Sequence, residues 1–254
     1  MAKSTSTRRR KRTHELVDAK QAVDLATAQS YSENVFLFVP NLIGYTRVIM
    51  AGFSLHYMSS HPIWCTTLYV VSCLLDAVDG QAARALGQTS KFGAVLDMVT
   101  DRCTTSCLLC YLASAYPNYA TVFQFLIALD FSSHYMHMYS SVLTGSTSHK
   151  LVTSDVSWIL WMYYNDSKTL FLVCAGNEMF FVALYVMKWT TTPMGLPWWD
   201  ITFPGLLAIC SFPVFFLKNF INVVQLWKAS KILVGVDLAE RAAVRAAAQR
   251  SDSD

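Results

Sequence analysis

The sequence predicts an all-α integral membrane protein with six transmembrane helices. Apolar residues make up 54% of its 254 residues and charged residues only 15%, whereas an average soluble domain contains about 25% charged residues. The chain also contains six apolar stretches of about the 20 residues that a helix needs to cross a bilayer. These features exclude an ordinary soluble enzyme, a disordered chain and a fibrous protein.

The six predicted spans are separated by polar or turn-rich breaks, most of them short. They cover residues 36–58, 62–82, 93–115, 118–144, 169–189 and 203–226. The chain is therefore divided into a basic, partly disordered N-terminal segment (1–33), a six-helix domain (34–235) and a C-terminal tail (236–254).

Lysine and arginine favour one side of this arrangement. They occur in the N-terminal segment, the second and fourth loops and the C-terminal tail, and are absent from the first and third loops. The positive-inside rule therefore predicts that both termini are cytosolic. The single N-x-[ST] sequon, which begins at Asn165, then lies in a cytosolic loop. The basic run between Lys3 and Arg12 is interpreted as a solvated tail, with contact to anionic lipids or a localisation signal as the alternatives.

Four aspartates lie inside the second and third spans, although a charge at a helix centre costs about 2.5–3.5 kcal/mol on insertion scales. Asp76 and Asp79 are three residues apart, and Asp97 and Asp101 are four apart, so each pair shares a helix face. A hairpin turn near residues 85–92 brings Asp79 level with Asp97 and Asp76 level with Asp101. Four converging carboxylates indicate a bound cation. Oxygen ligands alone suit Mg²⁺ or Mn²⁺ better than zinc.

The residues around these aspartates are typical of a phosphate site. Gly80 and Gly93 leave space beside the carboxylates, and the Arg84 guanidinium suits bidentate contact with phosphate. Ser90 supplies a hydroxyl donor. Two metal ions, a clamp of carboxylates and an arginine indicate a phosphoryl-transfer site.

Residues 76–101 read D-x2-D-G-x2-A-R-x8-G-x3-D-x3-D. This pattern resembles the signature of the CDP-alcohol phosphotransferases. Four stretches (34–47, 74–107, 133–150 and 174–178) are also similar to the eukaryotic phosphatidylinositol synthases of that family. The resemblance covers about residues 34–235. It implies six transmembrane helices, usually a homodimer, and a site open to both cytosol and lipid.

The resemblance also implies a reaction and a set of site residues. The phosphatidyl group of CDP-diacylglycerol passes to myo-inositol with release of CMP, by metal-dependent direct attack on the β-phosphate at the endoplasmic reticulum membrane. The implied roles are metal ligands (Asp76, Asp79, Asp97 and Asp101), a general base (Asp101 again) and contacts to CDP-diacylglycerol (Gly80, Arg84 and Ser90).

Two alternative functions remain open at this point. The acceptor alcohol of a family member is in some cases glycerol 3-phosphate or serine rather than inositol. A cation transporter would also place aspartates inside a membrane. Arg84 argues against the transporter, because a cation pathway has no use for an arginine beside its carboxylates.

Other polar residues inside the spans are weaker candidates. Five of them are assigned to the wall of the polar cavity: Asn41, Arg47, Ser133, His134 and Lys150. In the fourth span, Asp130, Ser133, His134 and His137 share a helix face, which fits either a hydrogen-bonded seam between helices or a second metal site. Glu178 is predicted to join an interhelical hydrogen-bond set.

Overall fold

A computed structural model describes residues 19–28, 34–144, 166–195 and 200–251. Within these ranges the chain forms seven α-helices, two short 3-10 helices (Val35–Leu37 and Pro117–Tyr119) and one isolated β-bridge between Pro193 and Thr202. The helices are α1 (Ala19–Ala28), α2 (Val39–Tyr57), α3 (Pro62–Ala85), α4 (Lys91–Ala115), α5 (Ala120–Leu143), α6 (Ser167–Met187) and α7 (Phe203–Ser251). The basic run at the N-terminus, Lys150 and Asn165 lie outside the described residues.

Helices α2 to α7 occupy the six stretches that the sequence predicts to be helical. Within the described ranges, three helices are both long and apolar enough to cross a membrane: α3, α6 from Lys168 onward, and α7 as far as Ala246. This composition makes the chain a multi-pass membrane protein. Helix α4 is also of spanning length with 25 residues, but it carries the charged residues Asp97, Asp101 and Arg102.

Local sequence signals explain where these helices begin. Pro40 and Pro62 lie in the first turns of α2 and α3, where a missing N–H group costs no helical hydrogen bond. Ser90 caps α4 by accepting a hydrogen bond from the Gly93 amide at 2.9 Å. Between α3 and α4, Gly87 adopts a φ of 65°, a left-handed conformation that glycine adopts without strain. The two helices therefore form a tight antiparallel hairpin.

Helix packing separates an apolar half of the bundle from a polar half. Helix α2 packs on α3 and α4, while α7 packs on α5 and α6. The main apolar core includes Leu108, Leu109 and Leu112 from the second half of α4. Tyr185 joins this core and donates a hydrogen bond to the Met58 carbonyl at 2.8 Å. The aspartates of α4 lie in its first half, so the core stabilises the end of the bundle away from them.

Helix α7 is longer than the sequence predicts. Its 49 residues run to Ser251, so residues 236–251 of the predicted C-terminal tail are helical. At 1.5 Å per residue this helix measures about 73 Å, against about 30 Å for the hydrocarbon core of a bilayer. Its C-terminal portion therefore extends well past the end of the predicted span.

The contact between α6 and α7 yields a test of this packing. A Cβ atom added at Gly176 would lie 2.6 Å from Cγ1 of Val214, so Gly176→Ala forces the two helices apart. We expect a loss of about 1–3 kcal/mol, seen as a lower melting temperature of the purified protein in detergent. A Cβ added at Gly52 meets nothing within 4 Å, so Gly52→Ala is the matched control and should melt at or above the native temperature.

Adding Val214→Ala to the Gly176→Ala variant removes the overlapping methyl groups and should recover part of the lost stability. If Gly176→Ala melted like the native protein, the close approach of α6 and α7 would be contradicted.

Candidate active site

The four aspartates of α3 and α4 meet around one guanidinium group. Arg47 of α2 is only 2% exposed. Its Nη1 lies 2.7 Å from Asp79 and 2.7 Å from Asp97, while its Nη2 lies 2.7 Å from Asp76 and also contacts Asp101. Each Nη group thus joins one aspartate from each helix of the hairpin. The predicted levels, Asp79 with Asp97 and Asp76 with Asp101, are confirmed.

Three elements position this cluster. The α3–α4 hairpin aligns its two carboxylate pairs because the turn between the helices is short. Helix α2 then delivers Arg47 from the side. The Ser72 hydroxyl of α3 donates to the Arg47 carbonyl at 3.3 Å, which fixes the backbone of α2 at this level. The sequence identified Arg47 only as a cavity residue, since nothing in its neighbourhood marks it as the partner of all four aspartates.

The cluster has the donor atoms and spacing of a metal site. One oxygen from each of Asp76, Asp97 and Asp101 lies within 4.8 Å of the other two, and Asp79 lies outside this triad. The guanidinium satisfies the cluster incompletely. Among the described residues, the buried Arg47 Nε has no hydrogen-bond partner, and the 2.7 Å contact between Arg47 Nη2 and Asp76 Oδ1 is an ion pair without the geometry of a hydrogen bond. Carboxylate oxygens are the ligands that Mg²⁺ and Mn²⁺ prefer, and these residues therefore fit a divalent cation.

A cavity of about 210 Å³ opens beside the cluster. Asp79 and Asp97 form part of its wall. The predicted phosphate contacts Gly80, Arg84 and Ser90 line it as well, together with Asn41 and Gly93. The structure thus brings these sequence-predicted residues to one place. The cavity could not be located from the sequence alone, because its wall combines α2 with both helices of the hairpin.

Gly93 is required by a close approach of α2 and α4 at this cavity. A Cβ atom there would lie 2.6 Å from Oδ1 of Asn41 and 3.0 Å from Oγ of Ser90. Asn41 is held in place because its Nδ2 donates to the Val35 carbonyl at 2.6 Å. Ser90 uses its oxygen to accept the helix-capping bond, which leaves its hydroxyl hydrogen for another acceptor.

A second buried charge network lies behind Asp101, and sequence reasoning missed it. Arg102 Nη1 donates to both carboxylate oxygens of Asp130 at 2.8 Å, and its Nη2 lies 3.6 Å from Asp101. Asn222 Nδ2 also donates to Asp130 at 3.2 Å, and Lys218 Nζ donates to Asn222 at 2.6 Å. The network ties α4 to α5 and α7. Arg102 directly follows Asp101 in the sequence, but its partners are 28 or more residues away.

Ser133 and His134 belong to the contact between α5 and α7 rather than to the cavity wall. Ser133 is fully buried, and its hydroxyl donates to the Asp130 carbonyl at 3.0 Å. Gln225 Nε2 donates to the Ser133 carbonyl at 3.3 Å, and His134 Nδ1 lies 2.8 Å from the Asp130 carbonyl. Within the part of the chain that the structure describes, the Asp76 triad alone has metal-like spacing. The structure therefore favours the helix seam over a second metal site.

Glu178 joins three helices, as the sequence predicts. Its Oε2 accepts a hydrogen bond from Tyr69 of α3 at 2.7 Å, and its Oε1 accepts one from Thr105 of α4 at 2.9 Å. Both carboxylate oxygens are therefore satisfied at this point between α3, α4 and α6. This confirms the predicted interhelical hydrogen-bond set.

The chain is similar in sequence to known proteins over most of its length. A sequence model of the CDP-alcohol phosphatidyltransferase family matches residues 37–236. The relatives include the CDP-diacylglycerol–inositol 3-phosphatidyltransferase of Schizosaccharomyces pombe, 51% identical over 225 residues, which cover 84% of this chain and 95% of that protein.

Proteins of the same name in Saccharomyces cerevisiae and Homo sapiens are also similar. The first is 45% identical over 81% of this chain and 90% of its own length, and the second is 43% identical over 83% of this chain and 97% of its own length. No solved structure matches. The family match over most of the chain, together with these relatives, shows that the chain belongs to the CDP-alcohol phosphatidyltransferase family.

Proposed function

We propose that this protein transfers the phosphatidyl group of CDP-diacylglycerol to myo-inositol and releases CMP. The observation that carries the proposal is its identity of 43–51% to proteins named for that reaction, over more than 80% of its length. The site is consistent with it, because a carboxylate cluster beside a cavity with an arginine and a serine suits a diphosphate substrate.

The protein is arranged as six spans, α2 to α7, in the endoplasmic reticulum membrane, and works as a homodimer. The lengths of the helices and the placement of lysine and arginine support the spans and a cytosolic position for both termini and the site. Residues 1–33 and the end of α7 lie outside the catalytic domain, which comprises residues 34–235.

The four aspartates hold two divalent cations, Mg²⁺ or Mn²⁺. Asp76, Asp97 and Asp101 supply the clustered oxygens, and Asp79 completes the set from the same face of α3. When bound, such cations neutralise the charge of the diphosphate and of the departing CMP. The carboxylates themselves keep this charge centre at a fixed depth beside the cavity.

Gly80, Arg84 and Ser90 bind the diphosphate of CDP-diacylglycerol. Arg84 is exposed and makes no ion pair with any described residue, so its planar fork is available for a phosphate. A Cβ atom at Gly80 would lie beside the Arg84 guanidinium, at 3.6 Å, so the glycine leaves that position open for the lipid diphosphate. Ser90 donates through the hydrogen that its capping role leaves unused.

Asp101 acts as the general base on the acceptor hydroxyl. The proton passes from the inositol hydroxyl to Asp101 while the alcohol oxygen attacks the β-phosphate. The bond from that phosphorus to the CMP oxygen breaks, so the phosphatidyl group moves in one displacement. Asp101 Oδ2 lies 3.6 Å from Arg102 Nη2, and this contact orients the carboxylate for this step.

The acceptor is a neutral polyol. A phosphorylated acceptor needs its own cationic pocket, because its charge must be desolvated near the metal site. Arg102 is held by both oxygens of Asp130, and Arg84 is assigned to the diphosphate of CDP-diacylglycerol, so neither serves a second phosphate. Among the cavity residues proposed from the sequence, Asn41 lines the cavity, while Ser133 and His134 lie in the contact between α5 and α7.

Asp101→Asn should lower turnover by about 10²- to 10⁴-fold, because the amide cannot take the proton of the hydroxyl. Binding of CDP-diacylglycerol should survive, since the contacts of Gly80, Arg84 and Ser90 are unchanged. CMP release and lipid binding by the purified protein measure the two effects separately. Asp237→Asn makes the same chemical change on an exposed part of α7 and is the matched control. Rapid turnover by Asp101→Asn at neutral pH would remove Asp101 from the role of base.

An acceptor screen tests the substrate assignment. Purified protein with labelled CDP-diacylglycerol and Mn²⁺ or Mg²⁺ should release CMP with myo-inositol, and not with glycerol 3-phosphate, serine or inositol phosphate. Omitting the metal should abolish release in every case. Release of CMP with glycerol 3-phosphate or serine but not with inositol would overturn the acceptor and leave the metal site standing. Metal transport without any release of CMP would instead favour the transporter.

The orientation predicts that Asn165 carries no glycan, because its loop is cytosolic and N-glycosylation occurs on the opposite side of the membrane. Treating the protein from eukaryotic cells with a glycosidase should leave its mass unchanged. The Asn165→Gln variant is the control for the sequon. A glycosidase-sensitive mass that disappears in this variant would reverse the proposed topology.

A further inference from the structure

Arg47 and the proposed divalent cations make use of the same four carboxylates. Its two Nη groups reach one oxygen each of Asp76, Asp79, Asp97 and Asp101. Three of these aspartates form the group with metal-like spacing. A guanidinium cannot keep all four contacts while metal ions occupy the cluster, so the two kinds of cation must exclude each other at least in part.

The charges explain why a protein cation is needed here. Four carboxylates converge on this point, and Arg102, the other buried arginine nearby, is held by both oxygens of Asp130. Buried like charges repel strongly unless a counter-ion is present. With Arg47 removed and no metal bound, the cation left beside the cluster among the described residues would be Arg102, which lies 3.6 Å from Asp101 and is shared with Asp130.

The contacts of Arg47 hold the four carboxylates together, but their geometry is poor enough for a metal ion to replace the guanidinium. Its buried Nε has no hydrogen-bond partner among the described residues, and the 2.7 Å contact of its Nη2 with Asp76 Oδ1 lacks the geometry of a hydrogen bond. The N–H donors of a planar guanidinium point in fixed directions, so they form good hydrogen bonds with two carboxylates and only incomplete ones with four. A metal ion accepts oxygen ligands from several directions.

We infer that Arg47 is the counter-ion of the metal-free site: it holds the four carboxylates together until divalent cations bind, and those cations displace it from them. Arg47 is therefore a positioning residue that competes with the metal. The inference rests on the proposed metal site. It extends that site by giving the metal-free protein a defined arrangement instead of an unpaired acidic cluster.

Binding of Mn²⁺ to the purified protein, followed by electron paramagnetic resonance, tests this competition. Arg47→Gln removes the competing charge, so it should bind Mn²⁺ at least about tenfold more tightly than the native protein. In a chelator its melting temperature should fall, and addition of Mn²⁺ should raise it by more than in the native protein. Arg47→Lys keeps the charge but not the planar guanidinium, so its Mn²⁺ affinity should rise by a smaller factor. This variant carries the test if Arg47→Gln does not fold.

Lys218→Gln is the matched control. Lys218 is a buried cation, 3% exposed, that hydrogen-bonds to Asn222 and forms no ion pair with the four aspartates. Its removal should lower the melting temperature and leave the affinity for Mn²⁺ unchanged. Unchanged or weaker Mn²⁺ binding by both Arg47 variants would overturn the role of Arg47 alone. Failure of the native protein to bind Mn²⁺ would overturn the proposed metal site and the inference with it.

Discussion

The convergence of four aspartates on the buried guanidinium of Arg47 constrains the rest of this half of the molecule. The carboxylates meet only if α3 and α4 form a tight antiparallel hairpin and α2 lies close enough to deliver its arginine. That approach explains why a Cβ atom added at Gly93 would lie 2.6 Å from Asn41 Oδ1, and one added at Gly44 3.0 Å from Leu96. The same approach creates the adjacent cavity, because the converging helices leave space between the N-terminal turns of α2 and α4 and the C-terminal turns of α3. The charge cluster and the substrate cavity are therefore two results of one packing arrangement.

The charged residues of the site and the apolar core lie in different halves of the bundle. The aspartates, Arg47 and Arg102 lie in one half, and the apolar core around Leu108, Leu112 and Tyr185 lies in the other. Glu178 sits between these regions and joins three helices through Tyr69 and Thr105. Because buried polar groups are costly when they lose a partner, this layer holds the helices in one register. The apolar half then supplies the packing that keeps the polar half assembled.

The features that the sequence predicts correctly depend on residues that are close together in the chain. Spacings of three and four residues place the aspartates on shared faces, and the short turn around Gly87 brings those faces together, so the site follows from a single hairpin. The partners of Arg47 and Arg102 come from other helices, 28 to 54 residues away, and no periodicity encodes such pairs. The predicted last span also ends at residue 226, whereas α7 continues to Ser251. Apolar content marks only the predicted span, whereas the alanine-rich sequence after it favours helix without being apolar enough to predict a membrane crossing.

The two buried arginines differ in how firmly they are held, and this difference bears on the chemistry. Arg102 meets both oxygens of Asp130, which in turn accepts from Asn222, so its position is fixed from three helices. Arg47 divides its contacts among four carboxylates and leaves its Nε unpartnered. Arg102, which is fixed, keeps one carboxylate oxygen of Asp101 oriented. Arg47, which metal ions can replace, leaves the cluster open to them. Asp101 needs both kinds of arginine, because a general base beside a metal centre must keep its orientation while the charge around it changes.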